Sequence, residues 1–380
     1  MRSGREVAND SERVVVSDMN VLFCSDAMIV DGVTSFVFHL STALREGGHR
    51  VAVLGRWAGK GFQSRLRERG VEVISIPSPT VGNFWFDRKA REFAPDVIVT
   101  DSRRSFPLAV RLKGVTGARI FTFFLDHLEK TDRKGRDVES LVRHSDAWLS
   151  AEPPILKKLE EIPTPFPKFL FQRPLTGLLS PTPTLPRDPF RILCFGRISG
   201  YKSAGPLALL RSARELKKEI PSLEITLVGG GWRAWRFRLL AERANLEAGE
   251  RYIRLVGTQT DPQRWFEWAT LVCAGSTSAV EAALANRPVL AFSGFWIGRL
   301  TPASMELALS TYFGERGGPF YVKDRPELIP AEVLSLYRDW DGRVMKEDSE
   351  LVRSVLEPLF HREGAAEEFG RIYDSLAERV

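Results

Sequence analysis

The sequence has little of what would staple, anchor or metallate a protein. Only three cysteines occur in 380 residues, Cys24, Cys194 and Cys273. Each sits alone in an apolar, strand-like run, which argues against a disulfide framework and a cysteine-rich zinc site. The five histidines, His39, His49, His127, His144 and His361, show no metal-ligand spacing, so no metal site is expected. The longest apolar runs, residues 120–125 and 289–292, fall far short of the roughly 20 residues that span a bilayer. In the first eighteen residues Arg2, Arg5, Asp10, Glu12 and Arg13 leave only Val14, Val15 and Val16 as an apolar stretch, which is no signal-peptide core; a cytoplasmic protein is expected. Also missing are a G-x-G-x-x-G at any strand-to-helix turn, a Walker A sequence and a G-x-S-x-G elbow. Nicotinamide-dinucleotide, P-loop and serine-hydrolase readings therefore have no support.

What is present describes an ordinary folded chain, 43% hydrophobic, 27% charged and 10% aromatic, too long for one core and suited to two. The excess of 54 Lys and Arg over 48 Asp and Glu permits anionic partners such as phosphates or an acidic membrane face. No nucleic-acid motif accompanies it. From residue 19 onward short β-branched runs alternate with helical patterns, the signature of parallel sheets covered by helices. Strands are read at 21–24, 51–54, 71–74, 97–99, 120–123, 147–150 and 168–171. The helix at 33–46, with Phe36, Leu40, Ala43 and Leu44 at helical spacing, is stopped by Gly47 and Gly48. A run with Pro174, Pro181, Pro183, Pro186 and Pro189 interrupts the pattern, because proline at that density supports neither helix nor central strand. The alternation then restarts, with strands at 191–195, 223–228, 252–256, 270–273 and 288–291. The expected organisation is an extension at 1–18, a doubly wound α/β domain at 19–172, a Pro-rich linker at 173–190, a second α/β domain at 191–350 and a helical segment at 351–380.

Three segments carry candidate chemistry. The loop from Gly196 to Lys202 follows a strand, and in an open α/β sheet ligands sit at the carboxyl ends of strands. Arg197 and Lys202 there supply a planar fork and a compact charge suited to a diphosphate; alternatively they are two solvated cations. Gly275, Ser276, Thr277 and Ser278 open a helix after another strand. Free N–H groups and hydroxyls there favour a phosphate, and Glu281 one turn on can accept two ribose hydroxyls. The plain alternative is an N-cap with a first-turn glutamate. Gly229, Gly230 and Gly231 end a third strand, either to admit a ligand or as a simple turn.

Taken in order, these pieces resemble the GT-B glycosyltransferases, most closely glycosyltransferase family 4, over most of the chain. Residues 20–54, with Asp31, Gly32 and Val33 at the first loop and Gly48, His49, Arg50 and Val51 before the second strand, are similar to that family's opening. Gly196 and Arg197 followed by Lys202 match its donor-diphosphate pair; Glu281 and residues 286–291 resemble its second motif glutamate and the strand behind it. The resemblance implies two Rossmann-like domains facing across a cleft. It also implies metal-independent transfer of a hexose from a UDP- or GDP-linked donor, with no cofactor, to a glycan, lipid-linked or small-molecule acceptor. Arg197, Lys202, Gly32, Gly230, Ser276, Thr277, Ser278 and Thr258 would then lie around the donor, Glu281 at its ribose and His127 near the transferred sugar. Asp126 would be the general base if the enzyme inverts. One departure stands out. The family's first glutamate, eight residues before the ribose-binding one, is here Cys273, and the Gly275–Ser278 stretch is similar to the donor loop of an inverting N-acetylglucosamine-transferring family. Retention is the expectation carried by the closer resemblance. The rival functions are a nucleotide-sugar 2-epimerase of the same fold and a non-catalytic sugar-nucleotide-binding protein. Two basic, aromatic segments are candidate contacts with the inner membrane face: Trp57, Lys60, Phe62, Arg65, Leu66, Arg67 and Arg69, and Trp232, Arg233, Trp235, Arg236 and Arg238.

Overall fold

Runs of apolar residues that lack polar alternation, such as Val21, Leu22, Phe23 and Cys24, none more than 2% exposed, belong to strands covered on both faces, as parallel sheets require. The computed structural model describes residues 18–28, 32–58, 60–75, 82–103, 105–125, 137–175, 185, 187–259, 262–360 and 363–377. Among these, the first sheet contains β1 (Asn20–Met28), β2 (Arg50–Ala58), β3 (Glu72–Ser75), β4 (Val97–Asp101), β5 (Arg119–Phe124), β6 (Ala147–Ser150) and β7 (Lys168–Leu170), in the order β3-β2-β1-β4-β5-β6-β7. The pairings of β1 with β2 and β4, of β2 with β3, of β4 with β5 and of β6 with β7 are parallel.

The second sheet contains β8 (Arg191–Phe195), β9 (Glu224–Val228), β10 (Ile253–Gly257), β11 (Leu271–Ala274), β12 (Val289–Phe292) and β13 (Trp296–Arg299), ordered β10-β9-β8-β11-β12-β13. All its pairings are parallel except that of β12 with β13. The sequence patterns lead to every strand of this sheet but β13. That strand is four residues long, has Gly298 at φ 96° and carries no β-branched run. Side chains alternate cleanly: Leu271 and Cys273 enter one apolar cluster with Ile192, Cys194 and Leu290, Val272 and Ala274 the other with Leu193, Val289 and Ala291. Period-two alternation is what a strand between two helix layers produces.

By compactness the chain divides into one unit of Met1–Phe123, Arg136–Ala147 and Arg362–Val380 and a second of Phe124–Gly135 and Trp148–His361. The helical segment at the C-terminus is shared out between them. The helix Gly342–Phe360 packs in the second unit, where the Leu175 N–H donates to the Phe360 carbonyl at 3.0 Å. The helix Glu363–Ala377 joins the first, with the Phe369 and Phe121 rings 5.3 Å apart and Arg119 donating to the Tyr373 carbonyl at 2.9 Å. The described ends of the Pro-rich stretch are anchored: Arg173, Leu175 and Phe190 are all buried. Among the described residues no helix is long and apolar enough to cross a membrane.

Candidate functional site

The order of the second sheet creates the site. From β8 the chain winds outward through β9 and β10, then returns to the other flank of β8 with β11 and β12. Connections leaving the carboxyl ends of β8 and β11 therefore diverge, and a crevice opens between them, the place where open α/β sheets hold ligands. Residues 196–202 leave β8 and residues 275–276 leave β11, the two loops singled out by sequence.

On the β8 side the backbone is zipped to its neighbours beyond the sheet. The Gly196 N–H donates to the Val228 carbonyl at 3.0 Å, Ile198 to Gly230 at 2.9 Å and Gly229 to Gly257 at 2.9 Å. That closeness explains the glycine triplet. At Gly229, where φ is 149°, a Cβ would lie 1.8 Å from the Gly196 carbonyl oxygen; at Gly230 it would lie 2.5 Å from Thr258 Oγ1. What approaches these glycines is the protein's own loop. Arg197 extends from it, exposed, with no hydrogen bond or ion pair among the described residues, and exposed Thr258 borders it across Gly230. Lys202 follows in a short 3-10 helix, Gly200–Ser203.

On the β11 side only Gly275 and Ser276 separate the strand from the helix Thr277–Leu284. Ser276 has φ 58° and ψ −145°, a region that L-residues occupy at a cost of roughly 1–3 kcal/mol and that collects at ligand-binding positions. Its side chain caps nothing, and Ser278 is half-buried beside it. Ser276 N–H reaches the Phe313 carbonyl at 3.3 Å, and the Thr277 hydroxyl meets the Tyr312 hydroxyl at 3.1 Å. Glu281 sits one turn along the same helix. Burial pushes its carboxyl up to about 7, against the opposing pull of Arg173.

The sequence reading missed the residues that bind these loops together. Tyr312, Phe313 and Gly314 all have positive φ (50°, 54° and 78°), a turn that delivers Glu315 and Arg316 to the crevice side of the sheet. The Glu315 carboxylate accepts from Tyr201 Oη at 2.6 Å and Ser293 Oγ at 2.7 Å and pairs with Lys202 Nζ at 2.8 Å. Burial raises the Glu315 carboxyl, but the Lys202 charge and these hydrogen bonds outweigh it and the net shift is downward. Arg316 Nε pairs with Glu152 Oε2 at 2.5 Å, and its Nη2 donates to the Leu125 carbonyl at 2.6 Å. Burial pushes the Glu152 carboxyl up, partly offset by Arg316 and Arg173. A Glu-Arg pair bracketed by Gly314, Gly317 and Gly318 was the available signal, because ionic residues inside a glycine break imply a built turn rather than a solvated helix face.

Thus the structure ties the Arg197 loop to Gly230 through Ile198, with Thr258 on the other side of that glycine, and joins Lys202, Ser276 and Thr277 through the Tyr312–Glu315 turn. Gly32 opens the helix Gly32–Glu46 in the first unit. Asp126 and His127 lie outside the described residues; Leu125, just before them, is held by Arg316. Cys273 is 2% exposed and faces the core, register-paired with Cys194. Of the two basic, aromatic segments, the first turns its apolar groups inward: Leu66 is fully buried, Phe62 packs 6.1 Å from Phe38, and Arg65 lies 4.4 Å over the Phe38 ring. The side chains of Trp57 and Lys60 are outside the described ones. In the second, Trp232 is 69% and Trp235 59% exposed.

Residues 31–154 match the family profile of the glycosyl transferase 4-like domain. No curated protein sequence matches the chain. Among solved structures, HepE of Anabaena in complex with UDP is similar over 94% of this chain and 100% of its own, with 15% identity and a TM-score of 0.69; HepE is also known in complex with UDP-glucose. A glycosyltransferase from Rickettsia africae (15% identity, 96% and 100% covered, TM-score 0.66) and a sucrose-phosphate synthase from Thermosynechococcus elongatus (16%, 95% and 99%, 0.67) are similar to the same extent. The fold is GT-B, two parallel-sheet Rossmann-like domains.

Proposed function

We propose that the chain is a glycosyltransferase that takes a hexose from a nucleoside-diphosphate donor held by the second sheet and passes it, with retention and without a metal, to a glycan, lipid-linked or small-molecule acceptor. The observation that carries the reading is the switch-point crevice, flanked by Arg197, unpaired among the described residues, on one loop and the strained Ser276 helix start on the other. As the glycosidic bond breaks, charge collects on the leaving diphosphate. Arg197, Lys202 and the N–H groups of Thr277 and Ser278 are placed to oppose it, the electrostatic role that a divalent ion plays elsewhere. An ammonium has three N–H donors; Glu315 takes one from Lys202 and so aims the other two. Glu281, ionised, would accept the ribose hydroxyls, and His127 would bind the transferred sugar.

HepE's complexes make UDP-glucose the first donor to test, beside GDP-, ADP- and dTDP-sugars, by thermal shift. A ligand at a hundred times its Kd stabilises by about 2.7 kcal/mol. Transfer or slow donor hydrolysis, unchanged by EDTA, is expected. Conversion of a UDP-sugar alone into a second sugar nucleotide would make the protein an epimerase, and binding without turnover a sugar-nucleotide-binding module. Product NMR is expected to show the donor's anomeric configuration, with Asp126→Asn still active; an inverted product together with an inactive Asp126→Asn would make Asp126 the base and end the retaining assignment.

A further inference from the structure

We propose that the exposed face of the helix Ala234–Ala248, with Trp232 just before it, docks this protein onto an anionic membrane surface. The helix buries Phe237 and Ala241 against its own unit. Opposite them, Trp235, Leu239 and Leu246 recur at spacings of four and seven and are 59%, 58% and 82% exposed, so one apolar stripe points straight away from the core. Trp232 adds a fourth large apolar group, 69% exposed, with the Arg233 guanidinium 4.6 Å from its ring.

Charge selects the occupant. Arg236 and Arg243 flank the stripe on one side and Arg238 on the other, all exposed. From Trp232 to Ala248 there are four arginines against two glutamates. Arg243 pairs with Glu247 at 2.8 Å, which Arg214 also meets at 3.8 Å; setting that pair aside leaves Arg233, Arg236 and Arg238 against Glu242, which sits on the apolar face. A row of protruding side chains along a single convex helix, about 22 Å long, offers no pocket such as a protein partner's anchors would need. It does fit a headgroup layer, where tryptophan settles at the interface, leucines dip below it and arginines meet phosphates. Trp232 follows directly on Gly231, whose Cβ position abuts the Ile198 carbonyl, so the docked face would lie next to the Arg197 loop. The inference stands on the exposed face alone and holds whether or not the protein transfers a sugar.

The test is co-sedimentation of the full chain with phosphatidylcholine vesicles, with and without phosphatidylglycerol, at low and high salt. Binding is expected only with phosphatidylglycerol, weakened by salt. Trp235→Ser with Leu239→Ser should reduce it at least about tenfold, and Arg236→Glu with Arg238→Glu should abolish it, with unchanged unfolding midpoints because all four side chains are exposed. Should the first pair disturb folding, Leu246→Ser serves in its place. Absence of binding by the parent, or binding by the variants equal to the parent, overturns the proposal. So does a dimer in sedimentation velocity that the same substitutions dissociate, which would assign the face to a second copy.

Discussion

Replacing Lys202 by alanine removes a cation that serves two anions, the Glu315 carboxylate within the protein and the proposed diphosphate. The internal debt can be sized. The Glu315 side chain is 7% exposed, and its ammonium partner sits 2.8 Å away and is itself 25% exposed. Breaking a buried pair by deleting one member typically costs about 3–5 kcal/mol, since the other charge is left uncompensated. Here the Tyr201 and Ser293 hydroxyls still donate to Glu315, which places the loss near the lower end. At roughly 2–4 °C per kcal/mol for a unit of this size, the unfolding midpoint should fall by roughly 6–12 °C. Lys202→Ala with Glu315→Gln should recover most of that loss, because no uncompensated carboxylate is then left at position 315. Arg197→Ala makes the contrast. It breaks no hydrogen bond or ion pair among the described residues, so its midpoint should stay at the parent's while turnover falls roughly a hundred- to thousandfold, the usual loss of about 2.7–4 kcal/mol for a transition-state donor. Thermal unfolding and steady-state kinetics, the latter run where every variant is folded, separate the two effects. A Lys202→Ala protein that unfolds with the parent would refute the buried pair. An Arg197→Ala enzyme within a few-fold of the parent would remove the diphosphate from this loop.

Two further outcomes follow from the same site. With the Glu281 carboxyl pushed up to about 7 by burial, the proposed ribose contact, which uses its ionised form, implies that donor affinity should rise about tenfold between pH 6 and pH 8 in binding titrations, and Glu281→Gln should flatten the profile. Stability runs the other way: the raised folded pKa means that this group's contribution is fullest below its unfolded value and is lost as pH climbs through about 7. Ser276→Gly relieves a backbone geometry that only glycine tolerates and should stabilise by about 1 kcal/mol or more in thermal unfolding, while weakening donor binding measured by calorimetry if the hydroxyl meets the phosphate. Unchanged affinity would leave Ser276 a strained cap without a ligand.

The strands, their alternation with helices and the two loops that follow β8 and β11 were legible because each depends on neighbours in sequence. Val21 to Cys24 and Leu223 to Val228 are β-branched or apolar runs bounded by turns, and Arg197, Lys202 and Thr277 follow strand ends directly. What could not be read rests on long-range pairing. Glu315 reaches Lys202 across 113 positions, counted from their numbers, and Arg316 reaches Glu152 across 164. The glycine break around Glu315 and Arg316 hints at a built turn, but their partners and their burial are set only when the turn at Tyr312–Gly314 folds them inward. Nor could Gly229 be explained locally, because the group it makes room for, the Gly196 carbonyl, belongs to another loop.

Cys273 shows how a motif can be kept in register while its chemistry moves. The related pattern places a carboxylate eight residues before Glu281, yet in this chain that position is the third residue of a four-residue strand. Its side chain points to the same face as Leu271, among Ile192, Cys194 and Leu290. A glutamate there would bury a carboxylate in an apolar cluster with no cation beside it, a cost of several kcal/mol unless it took up a proton. Because Gly275 and Ser276 alone span the gap to the helix, and a Cβ on Gly275 would strike the Phe292 carbonyl at 2.4 Å, the connection has no slack with which to swing position 273 into the crevice. With so short a loop a carboxylate at 273 would face the apolar cluster, where the cysteine packs without that cost. The acids that reach this region arrive by other routes: Glu281 along the helix, Glu315 on the left-handed turn and Glu152 from the end of β6. Each of them faces at least one of Arg173, Lys202 and Arg316.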